Sequence, residues 1–169
     1  FDWDGVAWTQ RGLDIDGETA GDWSGLVSMT ADGKTLAIGS TGNDGNGEDA
    51  GHVRVFDWDG VAWTQRGLDI DGEAAGDSSG NVSISSQGNT VAISAVLNDG
   101  NGENFGHVRV FDWDGSYWTQ RGLDIDGEAR LVGGTVSISS DGNTLSIGAA
   151  QSFDGSTDVG GSVRVFAWD

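Results

Sequence analysis

The stretch that decides the fold is FDWDGVAWTQRGLDIDGE, residues 1–18, which returns letter for letter at 56–73 and again at 111–128 with only Ser116 and Tyr117 changed. Phe1, Phe56, Phe111 and Phe166 keep a step of 55 residues, as do Asp16, Asp71 and Asp126. Self-similarity at roughly this period marks an array of supersecondary units rather than a chain folded around one irregular core. The units run 1–55, 56–110 and 111–165, and 166–169 begins a fourth in the same phase.

Working outward from that stretch, each period reads as four strands. LVSMT alternates, turns at Ala31-Asp32-Gly33-Lys34 and continues as TLAIGS. A Gly after Asp or Gln between two short β-rich runs is a hairpin signature, because Gly tolerates the positive φ of a tight turn. Gln87-Gly88 and Asp141-Gly142 repeat it. The third strand, HVRVFDW, passes through Asp59-Gly60 into the fourth, VAWTQRGLDI. No helical spacing occurs, and 30 glycines would weaken any helix.

Four antiparallel strands per unit, stacked without helices, predict an all-β fold of β-propeller blades. The strands carry apolar residues on both sides, Val53 and Val55 one way and Phe56 and Trp58 the other, as expected where neighbouring sheets cover both faces. Trp8, Trp63 and Trp118 are expected to fill the gap between blades near the rim, and Leu13, Ile15 and Leu68 to anchor the crossing to the next blade. Arg11, Arg66 and Arg121 are each expected to pair with a neighbouring Asp, an exposed pair contributing about 0–1 kcal/mol. Propellers run from about four blades upward, so a ring would need further blades or a homo-oligomer.

In an up-and-down meander the two tight turns of a unit share one end and its two long loops the other. Those loops are TGNDGNGEDAG (41–51) and DIDGETAGDWSG (14–25). Binding usually lives on loops held by a rigid scaffold. The expected ligand face therefore comprises Asp14, Asp16, Glu18, Asn43, Asp44, Asn46 and Glu48 in the first unit. In the second it takes in Asp71, Asn98, Asp99, Asn101 and Glu103, and in the third Asp126 and Asp154.

A net charge of −19 disfavours nucleic acid and anionic membrane surfaces and favours basic partners. With no cysteine there is no disulfide, thiolate metal site or thiol nucleophile. Calcium takes six to eight oxygens, and Asp44, Asn46, Glu48 and Asp49 offer several within a short span. They match no EF-hand spacing, and Asp and Asn also serve as turn formers. The loop is a candidate calcium site, and no other cofactor is expected. Paired carboxylates abound but recur in every unit, whereas a catalytic site on a propeller is assembled once, so no enzyme is expected. His52 and His107 head the third strand and Ser162 replaces them in the last unit, which points to a strand cap rather than a shared metal or base. The third unit departs most, at 131–135 and 151–159, and is the unit expected to have specialised if any has.

The segments 21–56 and 76–111 resemble FG-GAP repeats of the integrin-α type propeller, with a Gly-rich opening, a strand-turn-strand core and a Gly-x-Val-x-Val-Phe strand. SSDGNTLSIG (139–148) and SVRVFAWD (162–169) are also similar to a WD-repeat blade. FG-GAP kinship implies an extracellular or cell-surface adhesion or ligand-binding module, sometimes with calcium in an Asp-x-Asp-x-Asp-Gly loop between the first two strands. Here that connection is only Ala31–Lys34 in one copy and lacks any carboxylate at Ser86–Asn89, so the family calcium site does not carry over. The expectation is a non-catalytic module presenting its acidic loops to an extracellular protein or glycan. The alternatives are a structural repeat that self-assembles and a lectin-type propeller.

Overall fold

The computed structural model describes residues 1–128, 134–149 and 160–169, and among them every regular element is a strand. The strands are β1 (Asp2–Trp3), β2 (Trp8–Thr9), β3 (Ser24–Met29), β4 (Thr35–Ser40), β5 (His52–Trp58), β6 (Trp63–Gln65), β7 (Ile70–Asp71) and β8 (Ser79–Ile84). They continue as β9 (Thr90–Ala95), β10 (His107–Trp113), β11 (Trp118–Gln120), β12 (Ile125–Asp126), β13 (Thr135–Ile138), β14 (Thr144–Ala149) and β15 (Ser162–Ala167).

Two sheets are complete antiparallel meanders, β3-β4-β5-β6 and β8-β9-β10-β11, and two are partial, β1-β2 and β13-β14-β15. The fold is therefore all-β and built of propeller blades. Each full sheet straddles two of the 55-residue periods, since the repeated stretch supplies the end of one strand and the whole of the next. Instead of three complete four-stranded units, the described residues form two complete blades flanked by partial ones.

The expected fourth strand is not continuous. It splits into β6 and β7, both paired with β5, through Phe56↔Gln65 and Val53↔Ile70. The break falls at Gly67, whose φ of +75° is left-handed. A Cβ there would also stand 2.7 Å from the Trp113 ring of the next blade, so the position demands glycine twice over. The tight turns behave as read: the Asp59 carboxylate accepts the amides of Val61 and Ala62 at 2.8 Å each, and Asp4 and Asp114 do the same in their turns.

The apolar alternation on both faces has its counterpart in the core. Val53, Val55 and Ala37 on one face of the first blade pack with Ile84, Val91 and Ile93 of the second. On that blade's far side Ala92, Val108 and Val110 meet Leu145 and Ile147 of the third. Burying each valine, leucine or isoleucine among them is worth about 1.5–3 kcal/mol. At the closest approach an alanine Cβ on Gly39 would run into the Gly80 carbonyl, with the carbonyl carbon only 2.6 Å away. In the second blade the matching position is Ser94, whose Oγ donates to the Gly134 carbonyl at 3.1 Å.

Polar bonds lock the rim. Trp63 Nε1 donates to the Arg11 carbonyl and Trp118 Nε1 to the Arg66 carbonyl, both at 3.1 Å, which puts these indoles between blades; Trp8, on the first hairpin, is exposed. The Arg66 guanidinium donates to both Asp57 oxygens at 2.6 Å and to the Gly88 carbonyl of the next blade at 2.6 Å. The pair expected to be an exposed ornament is thus a bridge between blades. The anchors need correction too. Leu13 and Leu68 are 88% and 75% exposed because the chain turns outward after Gly12 and Gly67, while Ile70 is buried.

Candidate binding face

The long loops do meet at one end. The Gly42 amide donates to the Asp22 carbonyl at 3.1 Å and the Leu97 amide to the Asp77 carbonyl at 3.2 Å, tying the two loops of each blade together. Asp22 and Asp77 are buried and act as pins. The Asp22 carboxylate accepts the amides of Glu18 and Thr19, both at 2.9 Å, and Asn98 Nδ2 donates to Asp77 at 3.0 Å. Burial pushes the Asp22 carboxyl up, but these amides, Asn43 and His52 outweigh it and hold the group below its ordinary range.

Most of the predicted ligand-face residues are occupied locally. Asn43 and Asn98 are buried, and their side-chain oxygens accept the amides of Gly45 and Gly100 at 2.8 Å. The Asp44 and Asp99 carboxylates accept the amides of Asp49 and Asn104 at 2.8 and 2.6 Å. Asn46 and Asn101 donate to the carbonyls of Gly72 and Gly127 on the following crossing. Asp14 accepts from Gln10 at 2.7 Å. Asp16, Asp71 and Asp126 contribute through their backbone, each carbonyl accepting from Arg54, Arg109 or Arg164 at 2.6–2.7 Å. The Asp71 carboxyl is raised, by burial first and by Asp69 second. Glu48 and Glu103 stay exposed, and Asp154 lies outside the described residues.

This pattern bears on the calcium expectation. In the first loop the Asp44 oxygen is spent on the loop's own amide, and the Asn46 amide group points to the next blade. Among the described residues, trios of imidazole and carboxylate groups converge elsewhere, at Glu18-His52-Asp69 and Glu73-His107-Asp124. Sequence reading put Glu18 on the ligand face but took the histidines as strand caps and gave Asp69, Glu73 and Asp124 no role; the pairing of His52 with a carboxylate 34 positions earlier is a product of blade stacking.

What the first unit does assemble is a cleft of about 560 Å³ lined by Glu18, Asn43, Asp44, Glu48, Asp49 and Trp23. Trp23 is 72% exposed, its ring lies against Gly42, and its φ of +50° is left-handed. A bulky residue there is a genuine outlier, and such outliers cluster at functional sites. The matching residue of the second unit is Ser78, with the same φ within a degree. Trp23 is thus a feature of one unit only, which the sequence shows on its face as GDWSG against GDSSG.

No protein-family model matches the chain, so neither the FG-GAP nor the WD resemblance has a family behind it, and no curated protein matches either. Among solved structures the chain is similar to TolB from Acinetobacter baumannii, with 12% identity and a TM-score of 0.47. That likeness covers 85% of this chain and 29% of the other, so the chain spans less than a third of that protein.

Proposed function

We propose that the chain is part of a non-catalytic propeller of FG-GAP-like blades that binds a basic protein segment, outside the cell, through the acidic loop cleft of its first unit. The observation that carries this reading is Trp23, exposed and held in a left-handed conformation beside Asp44, Glu48 and Asp49. An indole face ringed by carboxylates suits a lysine or arginine head, which gains about 0.5–2 kcal/mol from the ring alone when within about 6 Å. The overall charge of −19 draws such a partner in. A glycan would stack on the same indole and hydrogen-bond the carboxylates, but an uncharged sugar gains nothing from the net charge of −19.

The test is a titration of a lysine- and arginine-rich peptide, followed by tryptophan fluorescence, beside a neutral oligosaccharide panel. Binding should weaken steeply with salt, and Trp23→Gly should lower affinity by about tenfold, the equivalent of 1.4 kcal/mol. Unchanged affinity in that variant, or tighter binding of an uncharged sugar, refutes the reading.

A second reading, self-assembly, is favoured by one observation. Val163 and Val165 are 72% and 67% exposed, although their counterparts Val53 and Val55 are fully buried under the next blade. A second copy, or further blades, would cover that face. Light scattering that gives a discrete multiple of 17.5 kDa supports the copy, and a fixed 17.5 kDa species excludes it.

A further inference from the structure

His52 and His107 are 1% and 2% exposed, yet neither ring nitrogen of His52, nor Nε2 of His107, has a hydrogen-bond partner. Native folds rarely leave buried polar atoms so. In both cases Nδ1 faces two carboxylates. For His52 these are Glu18 Oε2 at 3.9 Å and Asp69 Oδ2 at 3.8 Å; for His107 they are Glu73 Oε2 at 3.7 Å and Asp124 Oδ2 at 3.8 Å. Those gaps are too long for hydrogen bonds. They suit an ion between the groups, since two ligands each about 2.1 Å from one metal stand up to about 4.2 Å apart. All three ligand atoms of each trio lie within 4.8 Å of one another, and the carboxylates, being partly exposed, can close the remainder.

The carboxylates are also held from behind. Gln65 Nε2 donates to Asp69 Oδ1 and Gln120 Nε2 to Asp124 Oδ1, both at 2.7 Å. Arg54 stands 3.8 Å from Glu18 Oε1, and Arg109 3.6 Å from Glu73 Oε1. Each aspartate therefore keeps one oxygen hydrogen-bonded and turns the other to the imidazole, the outer-shell arrangement that orients metal ligands, while the arginines only offset the glutamates' charge. Burial pushes the His107 imidazole below its ordinary value, with Arg109 adding to the effect, which favours the neutral form that ligates. The third unit is the natural control. Ser162 replaces the histidine, and there Glu128 closes on Arg164 at 3.3 Å.

We propose that Glu18-His52-Asp69 and Glu73-His107-Asp124 are two sites for a divalent transition-metal cation, each stapling the crossing from one unit to the strands of the next blade. One imidazole and two carboxylates give a doubly negative set that suits zinc, cobalt or nickel, whereas calcium prefers oxygen alone.

Zinc alone is the probe, titrated calorimetrically into chelator-stripped chain. The expected result is two zinc ions per chain, a rise in Tm, and no displacement by excess calcium. His52→Gln should leave one site and His52→Gln with His107→Gln none. Glu18→Gln with Glu73→Gln, at exposed positions that leave the fold intact by circular dichroism, should weaken both sites by at least the roughly 10–100-fold that loss of an outer-shell partner costs. Absence of zinc binding by the folded chain at about 100 μM overturns the proposal. So does full zinc binding by the double glutamine variant at the histidines, which would place the metal in the acidic loops.

Discussion

Gly39→Ala is the sharpest probe of how the blades stack. The added Cβ would point from β4 into the Gly80 backbone of β8, 2.6 Å from its carbonyl carbon and 2.9 Å from its Cα. Carbon atoms at rest stand about 3.5–4.0 Å apart and the Gly80 carbonyl oxygen is nearer still, so the two strands must separate by more than about 1 Å, and neither is a side chain that can rotate away. Separation opens the packing of Ala37, Val53 and Val55 on Ile84 and Val91. Overpacking of this kind costs about 1–3 kcal/mol, and with backbone on both sides the upper figure applies. At about 2–4 °C per kcal/mol for a chain of this size, Tm should fall by about 6–12 °C. Gly148→Ala is the matched control. Among the described residues the Cβ there meets only Thr135 Oγ1, at 3.0 Å, and the gain from replacing a strand glycine, about 0.5–1 kcal/mol, should leave it neutral or slightly more stable. Urea unfolding of both variants decides the matter. Equal behaviour, or a loss under about 1 kcal/mol at Gly39, refutes the close approach of β4 to β8.

Arg66→Met removes a guanidinium that joins Asp57 to the Gly88 carbonyl of the next blade. Charged hydrogen bonds are worth about 1.5–3 kcal/mol; with Asp57 part-exposed, a loss of about 2–3 kcal/mol is expected in urea unfolding, and a loss under 0.5 would show that the bridge is ornamental. His107 supplies a pH dependence. Its folded pKa lies below the ordinary 6.5, so the unfolded chain takes the proton first and metal-free stability declines as the pH falls below 6.5. The stability of the parent relative to His107→Gln should accordingly fall between pH 7.5 and 5, and a constant difference would contradict the burial argument.

The fold was legible because its determinants are local and repeated. A step of 55 residues, Gly-bearing hairpin turns and apolar residues on both strand faces suffice for stacked four-stranded meanders. The split of the fourth strand was not legible, since Gly67 reads as an ordinary strand glycine until the Trp113 ring of the next blade is seen to lie on it. For the same reason Leu13 and Leu68 looked like anchors. At the loop face the sequence shows which polar residues crowd the loops but not which atoms they bond. Asn43, Asp44 and Asn46 spend their polar atoms on loop amides and a neighbouring carbonyl. The junction contacts of Arg54 and Arg66, and those of the histidines with Glu18 and Glu73, link positions 22–38 residues apart, a distance over which spacing alone says nothing.

The eighteen repeated residues carry both halves of the tryptophan junction: the indoles that reach across, and the arginine carbonyls and glycines that receive them. Such a segment cannot drift without breaking two contacts at once, which is why it recurs almost unchanged. Variation is left to the loops, and a binding site therefore belongs where equivalent units differ, at Trp23 against Ser78. This sharpens what Trp23→Gly should do. A left-handed conformation costs an L-residue about 1–2 kcal/mol more than glycine, and the side chain, 72% exposed, recovers little of that by packing. The variant should gain about 1 kcal/mol in urea unfolding while binding its basic peptide about tenfold more weakly. A residue that served the fold would lose stability instead, and that result would return Trp23 to the scaffold.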